Sequence, residues 1–177
     1  MKTLTSLLII TSLTTGFALA QTIKFDDAAP GKPPAGWTAT QTGTGQAKWT
    51  IEKDDTAPSK PNVLKQAGEA TFAIALKEGT SLNDGMVEVK FKTLSGAQDQ
   101  VGGVIWRAKD TNNYYLCRAQ ALRGNISFYK AVNGKRVTLK QADGKAAATF
   151  KVPMAKAEWH TLRVQFQGNK FKATLDG

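Results

Sequence analysis

One stretch in the middle of the chain gathers most of the side chains that could bind a ligand. Between residues 102 and 118 lie one tryptophan, two tyrosines, two arginines and two asparagines. The candidate ligand-binding residues among them are Arg107, Asn113, Tyr114, Tyr115 and Arg118, and Trp106 precedes them. Aromatic rings stack on the apolar faces of sugar rings, and arginine or asparagine side chains bind hydroxyl and carboxylate groups. The polar segment 108–112 is expected to be a loop between two strands. The pattern is typical of a carbohydrate-binding groove.

The same residue types also build protein cores, so a structural role is the alternative. Trp106 and the inward-facing tyrosine would then be core residues, and a buried arginine would be a hydrogen-bonded part of the fold. The sequence does not fix the phase of the two strands. It therefore leaves open whether Arg107 and Arg118 share a face.

The carboxylates do not form the pair that ordinary glycoside hydrolysis requires. Retaining and inverting glycosidases use two Asp or Glu side chains that flank the scissile bond. Glu88 is the only acidic residue in the middle of a convincing strand, whereas Asp84, Asp143 and Asp176 precede glycines, as turn residues do. We therefore expect no hydrolysis of ordinary polysaccharides.

Other catalytic and metal chemistry has few residues available. His160 is the single histidine, so packing at the start of a strand is its main expected role and general base the alternative. We expect no metal or other cofactor, although the oxygens of Asp110, Asn112 and Asn113 leave weak calcium binding open. The single cysteine, Cys117, can form no intramolecular disulfide and is expected to be a buried strand residue.

The N-terminal residues are typical of a secretory signal peptide. Lys2 precedes an apolar run at residues 7–13, and small residues follow at Ala18 and Ala20. This run is too short to span a bilayer. We predict cleavage between Ala20 and Gln21, which would give a secreted or periplasmic protein without a membrane span.

Basic residues outnumber acidic ones over the sequence as a whole. The sequence has 24 Lys and Arg residues against 14 Asp and Glu, a net charge of +10. The lysines alternate with apolar residues, as on the solvated faces of strands, and form no stripe that could follow a phosphate backbone. Together with the predicted export, this pattern argues against nucleic acid as a partner. It favours a weak, salt-sensitive attraction to glycans or polysaccharides, acidic ones included.

Alternation of apolar and polar residues with a period of two dominates the mature chain. It is regular at residues 86–92 and 160–166, and shorter runs occur at 72–76, 126–128, 137–139 and 171–175. Turn dipeptides such as Asn133-Gly134 separate the runs, and no helical periodicity is present. We predict one all-β domain over residues 21–177, an antiparallel two-sheet sandwich or a barrel. The Pro- and Gly-rich segment 30–45 is expected to be an irregular leader over it.

Motifs along nearly all of the mature chain resemble those of concanavalin A-like, LamG-like jelly rolls of bacterial exported proteins. They include Gly36-Trp37, Trp49-Thr50-Ile51, Pro61-Asn62-Val63-Leu64, the stretch from Gly102 to Arg107, Asn113-Tyr114-Tyr115, Gly134-Lys135-Arg136 and the stretch from Trp159 to Val164. Within that group the chain is similar to the 3-keto-disaccharide hydrolase domain family, often labelled family 16 glycoside hydrolase. The resemblance implies a two-sheet jelly-roll sandwich. Similar sequences carry Asn and Glu where this chain has Gln120 and Arg123, so ligand contact or catalysis at these positions would differ in this chain. Gln120 is among the predicted ligand-binding residues.

Three functions fit these observations. The first is a secreted carbohydrate-binding domain without catalysis, which the aromatic and arginine residues and the missing carboxylate pair favour. The family resemblance implies the second, a hydrolase or lyase acting on 3-keto-glycosides. In that enzyme Asp110 or His160 would be the base, and Arg107 or Arg118 would bind the carbonyl oxygen. The third is a structural envelope protein without catalysis.

The sequence also predicts that the chain is truncated at its C-terminus. Its final alternating run, residues 170–175, leads into Asp176-Gly177, a strong signal for a two-residue hairpin. Similar proteins continue for several strands beyond this point. We therefore expect the run to lack a returning strand on one side.

Overall fold

The computed structural model describes residues 20–177, so all but the last residue of the predicted signal peptide lie outside the described part. Within it the chain forms twelve β-strands and no helix. The strands are β1 (Trp37–Gln46), β2 (Trp49–Lys53), β3 (Asn62–Gln66), β4 (Glu69–Lys77), β5 (Gly85–Lys92), β6 (Val101–Asp110), β7 (Asn113–Gln120), β8 (Asn125–Val132), β9 (Lys135–Thr138), β10 (Thr149–Lys151), β11 (Trp159–Gln167) and β12 (Lys170–Leu175). The all-β prediction is confirmed.

Two antiparallel sheets form the sandwich, and two ribbons flank it. The larger sheet has the order β10-β8-β7-β6, with β9 also paired to β8, and the smaller has the order β12-β11-β5. The ribbons are β1-β4 and β2-β3. Among residues 20–177 there is no helix long and apolar enough to cross a membrane.

A stack of aromatic rings fills the space between the two sheets. Trp106 of β6 is 3% exposed, and its ring centroid lies 5.6 Å from that of Phe166 and 5.2 Å from that of Phe171. Tyr115 and Phe128 of the larger sheet pack against the same indole at 5.9 and 6.3 Å. We call the face of the larger sheet that meets this stack the inner face.

The other face of the larger sheet, the outer face, is partly covered by the β1-β4 ribbon. Ile74 of β4 packs in a second buried cluster with Tyr114, Leu116 and Ala131. The larger sheet therefore buries apolar side chains on both faces. This explains why strand β7 has buried residues at both even- and odd-numbered positions. The larger sheet is thus packed on both sides around strand β7.

The prediction that residues 30–45 are irregular is wrong for their second half, because residues 37–46 form strand β1. This strand pairs with β4 from Trp37↔Lys77 to Gln46↔Glu69. A register shift between Thr42 and Gly45 absorbs the glycines, and Gly45 has a φ of 96° that suits glycine. Pairing with a distant strand outweighs the local Pro and Gly composition, which was the basis of the prediction.

The predicted loop at residues 108–112 is also shorter than expected. Strand β6 continues to Asp110, and only Thr111 and Asn112 form the turn to β7. A register shift between Trp106 and Asp110 marks a bulge, in which Arg107 has a φ of 49°. The bulge changes the direction of the side chains that follow Trp106.

Gly102 allows the two sheets to approach each other closely. A Cβ atom at this position of β6 would lie 2.0 Å from Cδ2 of Phe91 in β5. We expect Gly102→Ala to lower the free energy of unfolding by about 3 kcal/mol, because the ring has to leave its place in the core. Urea denaturation measures this loss. As a control, Gly144→Ala meets no atom within 4 Å and should cost about 1 kcal/mol through its positive φ alone. Equal losses would contradict the close approach.

Candidate functional site

The alternation of β7 places the two predicted tyrosines on opposite faces. Tyr114 lies on the outer face in the cluster around Ile74, and Tyr115 lies on the inner face against Trp106. Arg118 has the same parity as Tyr114, so it also lies on the outer face. The site residues predicted on this strand are therefore divided between the core and the outer face.

Arg107 does not share a face with Arg118. Its Nε donates a hydrogen bond of 2.7 Å to the carbonyl oxygen of Asn83, and its Nη2 donates one of 3.0 Å to Asp84 Oδ1. Its guanidinium lies 5.5 Å from the ring centroid of Phe166 in β11. The bulge thus directs Arg107 towards the smaller sheet, where it joins the two sheets at their edge.

Tyr115 and Tyr114 are both held by the fold. Tyr115 is half-buried between Trp106 and Phe171, with ring centroids 5.9 and 5.5 Å away. Tyr114 is 2% exposed, and its hydroxyl lies 2.9 Å from Thr42 Oγ1 in β1. Neither ring is an open stacking platform for a sugar.

Arg118 is a half-buried cation on the outer face. Its Nη1 donates a hydrogen bond of 3.3 Å to Asp99 Oδ2, in the segment between β5 and β6. The guanidinium carbon lies 5.3 Å from the ring centroid of Tyr129 on β8, a cation–π contact. Its Nε is buried and has no hydrogen-bond partner among the described residues. Its Nη2 is not buried and has no hydrogen-bond partner among the described residues either, so this nitrogen is a donor that a ligand could use.

Arg136 joins this face, although it was absent from the predicted site. Its guanidinium carbon lies 3.7 Å from the ring centroid of Phe72 in β4, and its Nη2 donates a hydrogen bond of 3.3 Å to the Tyr114 hydroxyl. Burial lowers the pKa of Arg136, although the hydrogen bond to Tyr114 opposes that effect. Its Nε is also buried without a partner in the described part of the chain.

A signal for Arg136 was present in the sequence. The residues of the Asn133-Gly134 turn have φ angles of 49° and 78°, the left-handed values of a two-residue type I′ hairpin. Such a turn fixes the register, so Ala131 lies opposite Arg136 and, on its other side, opposite Tyr114. Counting the alternation of side chains along β8, through the turn and into β9 would have placed Arg136 on the same face as Tyr114.

We call the four side chains Tyr114, Arg118, Tyr129 and Arg136 the arginine face. They come from three neighbouring strands, β7, β8 and β9. The two cations can donate several hydrogen bonds, and the half-buried ring of Tyr129 adds an aromatic surface, which are features that sugar recognition uses. The buried Tyr114 orients Arg136 through its hydroxyl. The arginine face is the candidate site.

Gln120 and Asn113 hold neighbouring segments together. Gln120 is fully buried, its Nε2 donates to Asp99 Oδ1, and its Oε1 accepts hydrogen bonds from the backbone nitrogens of Gln100 and Leu122. Gln120 therefore positions the carboxylate that Arg118 uses. At the other end of β7, Asn113 Nδ2 donates to both oxygens of Asp110 at 3.0 and 2.9 Å.

Asp110 caps the β6–β7 hairpin. Hydrogen bonds from the Asn112 backbone nitrogen and the Asn113 amide hold the pKa of Asp110 below its usual value, so its carboxylate is a weak base. The Asn113 side chain turns its nitrogen towards this carboxylate, whereas a calcium ligand would present its oxygen. Residues 20–177 contain no group of three or more His, Cys, Asp or Glu side chains that could hold a metal ion.

His160 uses both ring nitrogens at the start of β11. Nε2 lies 2.9 Å from the carbonyl oxygen of Ala155, and Nδ1 lies 2.7 Å from Asp176 Oδ2. Because a carbonyl oxygen only accepts, Nε2 carries the proton there. Burial opposes a charge on the ring, but the hydrogen bonds to Asp176 and Ala155 outweigh it and raise the pKa of His160.

The two candidate bases are not brought together. His160 packs on Phe91, with ring centroids 5.8 Å apart, and Phe91 contacts the Gly102 end of β6. Asp110 ends the same strand eight residues later, roughly 25 Å along an extended chain.

A separate cluster around Lys92 shows a cation that is paired with a carboxylate. Lys92 Nζ lies 2.5 Å from Asp54 Oδ2 and 5.1 Å from the ring centroid of Trp159. The Trp159 Nε1 donates a hydrogen bond of 3.1 Å to Thr56 Oγ1. The hydrogen bonds from Lys92 and Thr56 lower the pKa of Asp54 to about 2. This cluster ties the β2–β3 connection to β5 and β11, and its charges balance.

The fold is similar to that of a solved carbohydrate-binding module. Carbohydrate-binding module CBM66 from Bacillus subtilis matches with a TM-score of 0.58 and 22% sequence identity, over 80% of this chain and 74% of that one. The likeness shows the jelly-roll β-sandwich fold. No protein-family model matches the chain, and no curated protein matches it either. The resemblance to the 3-keto-disaccharide hydrolase domain family stays a prediction.

The His160–Asp176 contact predicts a pH-dependent stability. Because the folded pKa of His160 is raised, its contribution is complete below the unfolded value of about 6.5 and is lost as the pH rises through the folded pKa. The pKa of Asp176 is lowered against the effect of its burial, so its contribution is present above about 3.9 and is lost as the pH falls through the folded value. We expect His160→Gln to destabilise the protein more at pH 5.5 than at pH 9 in urea titrations. A pH-independent loss would contradict the charged pair.

The thiol of Cys117 should be inert in the native protein. The residue is fully buried, and burial raises its pKa to about 12, so the reactive thiolate is scarce at neutral pH. A thiol-specific chromogenic reagent should label the protein in guanidinium chloride but not under native conditions at pH 8. Rapid native labelling would show that the core around β7 opens.

Proposed function

We propose that this protein is a carbohydrate-binding domain that uses the arginine face and has no catalytic activity of its own. The observation that carries the proposal is the pair of guanidinium groups, Arg118 and Arg136. Each has one terminal nitrogen, Nη2 of Arg118 and Nη1 of Arg136, that is not buried and has no hydrogen-bond partner among the described residues. Both lie on one face of a rigid sheet, beside Tyr114 and Tyr129. The fold shared with a carbohydrate-binding module supports the same function.

The binding chemistry follows from the geometry of the arginine face. Guanidinium groups donate hydrogen bonds in a planar fork, which suits neighbouring hydroxyl oxygens of a sugar. Arg118 and Arg136 each lie over an aromatic ring, so their planes are held in place before a ligand arrives. A pre-oriented fork binds with a smaller entropy loss than a mobile one.

The geometry does not favour an enzyme acting on 3-keto-glycosides. That mechanism needs a basic atom close to an arginine that binds the carbonyl oxygen. Asp110 is a weakened base that caps a hairpin, and the ring of His160 is occupied at both nitrogens. The third function, a structural envelope role, would show itself as a folded protein that binds no glycan.

The composition of residues 1–20 supports a related proposal about location. We propose that these residues direct export and that the mature domain meets its glycan in the periplasm or outside the cell. N-terminal sequencing of exported protein would find Gln21 first.

A binding assay with one aromatic variant and one matched control tests the function. Affinity electrophoresis against a panel of neutral and charged polysaccharides should show retardation of the wild-type domain. Tyr129→Ala should weaken that binding about tenfold, because Arg118 loses the ring that orients it. Phe150→Ala removes an aromatic ring that is 43% exposed on β10 and should leave affinity unchanged. Equal effects of the two variants, or no binding to any glycan, would reject the proposed site.

A further inference from the structure

The five arginines of the sequence differ in whether a carboxylate lies close to them in the described structure. Arg107, Arg118, Arg123 and Arg163 each have a carboxylate oxygen within 4.0 Å. Arg136, the fifth arginine of the sequence, has no such contact among residues 20–177, although its Nε is buried. Its one hydrogen bond goes to the neutral hydroxyl of Tyr114. A partly buried cation without an anion is costly, and folded proteins usually provide a counter-charge.

The surroundings of Arg136 add more positive charge. Arg118 lies close enough that its charge, after the larger effect of burial, helps to lower the pKa of Arg136. Arg123 Nη1 lies 4.0 Å from Asp99 Oδ1, and Arg118 Nη1 binds the other oxygen of the same carboxylate. One carboxylate therefore serves two arginines, and the third has none. The arginine face has an excess of positive charge.

We propose that the arginine face binds the carboxylate of an acidic sugar, a uronic acid residue of a polysaccharide, between Arg136 and Arg118. This inference rests on the proposed carbohydrate binding and names its ligand class. A planar carboxylate matches the planar fork of a guanidinium with two parallel hydrogen bonds. It would also supply the counter-charge that the described residues do not provide.

Calorimetric titration of the wild-type domain provides the first test. The probes are polygalacturonate, alginate and hyaluronate, each beside its carboxyl-reduced, neutral form, with dextran sulfate as a separate anion. We expect at least one uronate polymer to bind about tenfold or more tightly than its reduced form. The difference should shrink as salt rises, because a charge contact on a partly exposed face is screened.

Matched arginine variants provide the second test. Arg136→Gln and Arg118→Gln should each lower the preference for uronate over the reduced polymer about tenfold, because the reduced polymer loses only hydroxyl contacts and the uronate also loses a charge contact. Arg163→Gln is the control, because it removes the same charge from an exposed site on β11 that is paired with Glu88 at 2.6 Å. Arg136→Lys keeps the charge but loses the fork, so it should restore only part of the affinity. Thermal unfolding confirms that each variant is folded, and if Arg136→Gln is not, the wild-type comparison still decides.

The possible outcomes distinguish carbohydrate binding in general from binding of an acidic sugar. Equal binding of uronate and reduced polymers would overturn the acidic ligand and leave carbohydrate binding intact. Absence of binding to every polymer, neutral ones included, would reject both. Dextran sulfate binding as tightly as uronate, or an equal loss in Arg163→Gln, would show general attraction to anions and overturn the carboxylate site.

Discussion

The packing of Trp106 between the two sheets is the constraint on which the arrangement of the site depends. The indole contacts rings from both sheets, with Phe166 and Phe171 on the opposite side of the core. Because side chains alternate along a strand, placing Trp106 inward also places its register partner Tyr115 inward. Tyr114 must then face outward, and so must Arg118 four residues later. A slip of one residue would exchange the core and the site.

The outer face then receives its remaining groups from more distant parts of the chain. The β8–β9 hairpin brings Arg136 beside Tyr114, and the β1-β4 ribbon adds Thr42 and Phe72 from the other side. The other four arginines each have a carboxylate oxygen within 4.0 Å, and Lys92 is paired with Asp54. Among residues 20–177 Arg136 has no such partner, and an unbalanced charge on a packed sheet is a feature more typical of binding sites than of structural clusters.

The sequence predicted most of the strands of the two sheets but only part of the candidate site. Alternation predicted β5 and β11 because each has one buried and one solvated face, as period-two patterns require. It failed for β1, whose glycines are accommodated by a bulge against β4. It also could not place Arg107, since the bulge after Trp106 reverses the direction expected from parity. Gln120 was predicted to touch a ligand, but its full burial depends on Asp99, a contact that no local pattern reveals.

The central claim is that ligand binds on the outer face through the two guanidinium groups. The most direct measurement is a nuclear magnetic resonance titration of the labelled domain with a uronic acid oligosaccharide, following the arginine Nε–H signals. We predict that the signals of Arg118 and Arg136 shift and saturate together, with backbone shifts along β7, β8 and β9, whereas the signal of Arg163 stays unchanged. Shifts confined to Arg107 and the β11–β12 hairpin, with Arg118 and Arg136 unmoved, would contradict it.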